Sequence, residues 1–106
     1  MISFEEFKRL DLRIAQVKSV REHPGADKLY LMQVDLGKEV RQLVAGLRPY
    51  YRPEQLEGKK IVVVVNLEPA TLRGEKSEGM LLAAQHDEDV VVLVPERDLP
   101  AGSPVL

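Results

Sequence analysis

Apolar and polar positions alternate along most of this chain with the two-residue period of strands, and helical spacing is confined to short stretches. The first stretch opens on a helix-start signal: Ser3 as N-cap with Glu6 three residues on forms a capping box, and Ile2 is placed to staple onto Phe7. A short helix is predicted over Phe4 to Arg9. From Leu12 the pattern becomes that of a strand. Leu12 and Ile14 flank Arg13, then the apolar phase moves to Ala15 and Val17 and again to Val20, which one flat strand cannot satisfy. A bulge or sharp bend inside a long first strand would absorb those shifts.

His23, Pro24, Gly25, Ala26 and Asp27 read as a turn, and Leu29 to Leu36 as a second strand. Gly37, Lys38 and Glu39 form a hairpin link to a third strand, Val40 to Ala45, with Gln42 toward solvent. Pro53 to Leu56 suits one or two helical turns ended near Gly58. Ile61 to Val65 is a fourth strand, β-branched throughout and apolar on both faces, behind a solvated end at Lys59 and Lys60. Asn66 to Gly79 is a fourteen-residue connection, long for a loop without structure of its own, and is therefore a functional candidate. Met80 to Ala84 and Val90 to Val94 pair as a hairpin, and the tail from Pro95 is expected to lie irregularly over the surface.

Short strands with one helical insert between the third and fourth predict an all-β-dominated fold. The economical candidate is an OB-fold, a five-stranded Greek-key barrel, here with short flanking helices and a C-terminal β extension. A β-sandwich is the alternative. The 106 residues amount to one domain, read as residues 1–106. No uninterrupted apolar run exceeds five residues, as in Ile61 to Val65, against the roughly 20 a membrane helix needs, so a cytoplasmic protein with no membrane partner is expected.

The net charge of −2 argues against nucleic-acid binding through bulk positive charge. Its distribution is uneven: residues 1–60 hold twelve Lys or Arg against nine Asp or Glu, and residues 61–106 hold three against eight. With no cysteine, disulfides, thiolate nucleophiles and thiolate metal sites are excluded together. His23 and His86, the two histidines, read as surface turn residues without metal-ligand spacing, and no carboxylate pair or nucleophile motif is present. The chain is thus read as non-catalytic, with no metal and no cofactor.

The 66–79 connection carries the informative chemistry. Asn66 offers amide donors and an acceptor, Arg73 and Lys76 charge, and Ser77 a hydroxyl, while Gly74 and Gly79 permit close approach to the backbone. Such groups bond phosphate, ribose and base edges. Met80 adds a flexible apolar contact. In the other reading Asn66 and Ser77 satisfy the loop's own backbone while Met80 fills the core. Lys28, and Arg48 and Arg52 around Tyr50 and Tyr51, could extend a basic surface with aromatics for stacking, or the tyrosines could pack the short helix onto the barrel.

Several ordered motifs span nearly the whole chain: Asp11-Leu12-Arg13-Ile14, His23 to Leu29, Val44-Ala45-Gly46-Leu47, Asn66-Leu67-Glu68-Pro69, Leu72-Arg73-Gly74 and Ser77-Glu78-Gly79-Met80. Together they closely resemble the tRNA-binding domain family, which includes the C-terminal module of many methionyl-tRNA synthetases, free-standing dimeric tRNA-binding proteins and the CsaA export-chaperone branch. The resemblance implies an OB-fold with flanking elements, a homodimer, and binding to tRNA shape and backbone, in trans or as a component of methionyl-tRNA synthetase. It also implies that Lys28, Asn66, Arg73, Ser77 and Met80 lie on the binding surface. A CsaA-like chaperone for unfolded polypeptides is the alternative function, and an oligosaccharide-binding OB module has fold-level support only.

Overall fold

The computed structural model describes residues 1–106. Its elements in chain order are α1 (Phe4–Phe7), β1 (Leu12–Glu22), β2 (Tyr30–Asp35), β3 (Val40–Ala45), α2 (Pro53–Leu56), β4 (Lys60–Val64), β5 (Ala70–Leu72), β6 (Glu75–Ser77), β7 (Met80–Leu81), β8 (Ala83–His86), β9 (Asp89–Val92) and β10 (Pro104–Val105). No helix is long and apolar enough to cross a membrane. The capping box forms as expected: Ser3 Oγ accepts from the Glu6 amide at 3.1 Å, and the Ser3 amide donates to the Glu6 carboxylate at 3.2 Å. The helix stops at Phe7, short of Arg9, because the Arg9 and Leu10 amides turn to carbonyls three residues back. Ile2 stays 69% exposed.

The main sheet runs β3-β2-β1-β4-β7, all antiparallel, and curls into a nearly closed five-stranded barrel of OB type. Its long member is β1, which pairs β4 over Leu12 to Gln16 and β2 over Gln16 to Glu22. The register slips between Val17 and Ser19, so a bulge at Lys18 absorbs one residue. That is why Val20 joins Ala15 and Val17 in the interior although it stands three positions from Val17. The earlier shift has another origin. Leu12 and Ile14 alternate with the inward set: Leu12 lines the groove where the chain termini gather, and Ile14, outside the barrel cluster, is still buried at 3% exposure. The barrel is filled by Tyr30, Met32 and Val34 from β2, Leu43 from β3, Ile61 and Val63 from β4, and Leu47 and Leu56 from the β3–β4 connection.

The connection from Asn66 to Gly79 is not irregular: it folds into the β5–β6 hairpin, with Leu72 opposite Glu75 across a two-residue turn. Both turn residues, Arg73 at φ 52° and Gly74 at φ 86°, are left-handed, the arrangement that matches strand twist in a tight hairpin. The hairpin seals the gap between β3 and β7. Ser77 Oγ accepts from the Val44 amide at 3.0 Å and donates to the Gly79 carbonyl at 2.9 Å, and the Glu78 amide donates to the Gln42 carbonyl at 2.8 Å. Gln42 therefore does not face solvent. Its side-chain amide donates to the Lys76 carbonyl at 2.9 Å. Gly79 is required here, at φ 147°, since a Cβ would stand 3.0 Å from the Val64 carbonyl oxygen and 3.2 Å from Leu43.

The C-terminal β extension is the β8–β9 hairpin, paired from Ala83–Val92 to His86–Asp89, whereas Met80 and Leu81 belong to β4's edge. The tail is more ordered than expected. Pro104 and Val105 pair with Arg13 and Leu12, continuing the edge of β1 that β2 has left. The Gly102 amide donates to the Ile14 carbonyl at 2.7 Å, and Lys60, expected at a solvated end, instead holds Asp98 at 2.9 Å.

Candidate nucleic-acid interface

One end of the barrel is formed by the β1–β2 turn and the β3–α2 loop. The opposite end is formed by the β2–β3 link, the start of β1 and the end of β4. At the first end the chain makes its one buried histidine. His23 is 4% exposed, a correction to its reading as a surface turn residue; His86 does sit exposed on the β8–β9 hairpin. The His23 Nδ1 accepts the Gly25 amide at 2.9 Å, which leaves Nε2 to carry the proton and donate to the Leu72 carbonyl at 3.1 Å. One imidazole thereby closes its own turn and ties that turn to the β5–β6 hairpin.

The tie brings two basic residues to the same end. Lys28 follows the His23 turn, and Arg73 follows Leu72; both are exposed, and neither side chain has a hydrogen-bond or ion-pair partner within the chain. Arg48 is committed elsewhere. It pairs with Glu22 at 2.8 Å and donates to the Ala26 carbonyl at 3.4 Å, bracing the turn from the third side. Arg73 keeps its place at the hairpin tip in a backbone region that non-glycine residues rarely adopt.

The remaining candidates are strung along the barrel. Ser77 is 5% exposed, and its hydroxyl is fully engaged in joining β3 to the Gly79 backbone. Met80, half exposed at 51%, opens β7 opposite Val64. Asn66 lies just beyond β4 at the second end, where its Oδ1 accepts from the Asp11 amide at 2.8 Å and its Nδ2 donates to the Arg9 carbonyl at 2.7 Å. It thus pins the entry of β1, using groups outside its own loop. Lys28 and Arg73 thus stand at the first end, Asn66 at the second, and Ser77 and Met80 between them, on β6 and β7.

The tyrosines divide. Tyr51 packs against the core, its hydroxyl accepting from the Val92 amide at 3.1 Å and its carbonyl accepting from the Tyr30 hydroxyl at 2.6 Å. Burial, and then the charge of Glu22, push the Tyr30 phenol above its ordinary pKa. Tyr50 stays 42% exposed beside the basic end, and only the fold distinguishes it from its neighbour. At the opposite end a cleft of about 340 Å³ is lined by Arg13, Lys38 and Arg41, but Asp11 and Glu39 pair with the two arginines there. Asp11 raises the Arg13 pKa through its hydrogen bond and its charge.

Comparison with known proteins gives this geometry a context. The tRNA_bind family model, describing a tRNA binding domain, matches residues 12–104. The methionine-tRNA ligase of Pyrococcus horikoshii is 53% identical over 104 residues, covering 98% of this chain and 14% of that protein. That of Methanococcus aeolicus is 49% identical over 105 residues, covering 99% and 16%. The chain thus spans only a small part of the curated relatives it matches. Among solved structures, the MetRS related protein from Pyrococcus horikoshii superposes with a TM-score of 0.94 at 33% identity, covering 100% of this chain and 98% of that one. The chaperone CsaA of Bacillus anthracis str. Ames gives 0.91 at 37% identity, covering 100% and 99%. Matched from the first residue of β1 into β10, the chain belongs to the tRNA-binding domain family.

Proposed function

We propose that this chain is a non-catalytic module that binds tRNA by its shape and backbone, in trans or as a component of methionyl-tRNA synthetase. The observation that carries this reading is the pair of unpartnered cations, Lys28 and Arg73, held at one barrel end through His23. They contact phosphates, Met80 supplies apolar contact from β7, and Ser77 and Asn66 hold the surface in shape through their backbone bonds. The test is equilibrium binding of total tRNA at several salt concentrations, with an unfolded polypeptide and an unstructured RNA of equal length in parallel. Preference for tRNA, with affinity falling linearly on a log–log salt plot, is expected. Salt-insensitive binding to the polypeptide alone would establish the second reading, a CsaA-like chaperone, which the CsaA likeness favours.

The module acts as a homodimer through the apolar groove at the chain termini. Phe4, Phe7, Leu10, Leu12, Val105 and Leu106 line that groove, and Phe4 is 73% exposed. An exposed apolar patch of this kind is stabilised when a second copy covers it. Sedimentation equilibrium is expected to show a dimer and Phe4→Glu a monomer. A monomeric wild-type chain would contradict the assignment.

A further inference from the structure

We propose that His23 is a positioning residue for nucleic-acid binding whose neutral imidazole latches the Lys28 turn to the Arg73 hairpin and whose protonation releases the latch. This rests on the tRNA-binding reading. The geometry allows one protonation state: Nδ1 must offer a lone pair to the Gly25 N–H at 2.9 Å, and Nε2–H must reach the Leu72 carbonyl at 3.1 Å. A proton on Nδ1 would set two N–H groups against each other. It would also place a cation where only 4% of the residue meets solvent.

No carboxylate bonds or ion-pairs with the imidazole. The charged groups on the surrounding elements are Asp27 and Lys28 on the turn itself, Glu22 at the end of β1, Arg48 on the β3–α2 loop, and Arg73, Glu75 and Lys76 on the hairpin. Glu22 is taken by Arg48 at 2.8 Å, Glu75 accepts from Gln42 at 3.3 Å, and none of them bonds the imidazole. The imidazolium therefore relieves its position by leaving it. With the Leu72 bond gone, Lys28 and Arg73 lose their fixed separation, and binding loses the preorganisation that their spacing supplied.

The sign of the effect is diagnostic. Acidification adds positive charge to the protein and by electrostatics alone strengthens RNA binding. The latch predicts the reverse.

The experiment is the affinity for total tRNA, by fluorescence anisotropy at fixed ionic strength, from about pH 8 down to about pH 5. Wild type is expected to lose about tenfold in affinity as the latch opens. His23→Gln, whose amide can donate to Leu72 but does not titrate, is expected to show no loss. A wild-type affinity that rises on acidification, or an equal fall in His23→Gln, would overturn the proposal. The imidazole ¹⁵N shifts and Gly25 amide exchange of wild type decide it if the variant does not fold or if tRNA does not bind at any pH. An Nε2–H tautomer with a protected Gly25 amide at the alkaline end, both lost on acidification, supports the latch. The Nδ1–H tautomer, or a Gly25 amide indifferent to pH, refutes it.

Discussion

Replacing Gly102 with alanine is expected to lower the free energy of unfolding by about 3 kcal/mol, a large effect for one methyl group. Two causes add. Gly102 stands at φ 92°, where an L side chain is strained, and its Cβ would overlap the Leu36 carbonyl oxygen. The encounter is mutual: a Cβ on Gly37, also at φ 92°, would come within 2.7 Å of the Ala101 carbonyl oxygen. Here the tail crosses the β2–β3 link backbone to backbone, fixed by the Gly102 amide on Ile14 at 2.7 Å. Gly58 supplies the control, at φ 86° with nothing within 4 Å of where a Cβ would stand. Gly58→Ala should cost about 1 kcal/mol, the dihedral contribution alone. Urea midpoints at unchanged m-value measure both. Equal losses would show that the crossing is not close-packed.

Removing both unpartnered cations, Lys28→Ala with Arg73→Ala, is expected to weaken tRNA binding at least about a hundredfold at low salt, since each charged hydrogen bond contributes roughly 1.5 to 3 kcal/mol. The slope of log affinity against log salt should fall by about two units, one for each phosphate left without its cation. Stability should hold, because neither side chain bonds anything within the chain. The loss should be equal for different tRNAs, as phosphate contacts carry no sequence. A loss confined to one tRNA, or an unchanged slope, would remove these residues from the interface. The unequal charge halves of the chain give no guide to this result. Of the twelve basic residues in positions 1–60, Arg13, Arg41, Arg48, Arg52 and Lys60 are held in ion pairs.

Patterning along the chain determined the long strands of the barrel. Alternation placed β2, β3 and β4 within a residue or so, the broken phase of the first strand called for a bulge or bend, which the fold sets at Lys18, and the capping box started α1. These features are local, because side-chain direction in a strand and cap chemistry in a helix depend on near neighbours. The ordered motifs likewise made the family legible, and with it the OB barrel.

What tertiary structure decided is the use of each polar group. Arg73-Gly74 lacks the usual Asn-Gly signal, so the β5–β6 hairpin was hidden until Gln42, Val44 and His23 supplied its partners from more than thirty positions away. His23 and His86 both occupy turns in sequence. The fold buries one as a latch and leaves the other in water. Ser77 and Asn66 differ in the same way from Lys28 and Arg73, their hydrogen-bonding capacity being taken up by distant backbone while the two cations remain free. A donor or acceptor is defined by its residue type, but its occupancy is set by which backbone the folded chain brings within about 3 Å of it.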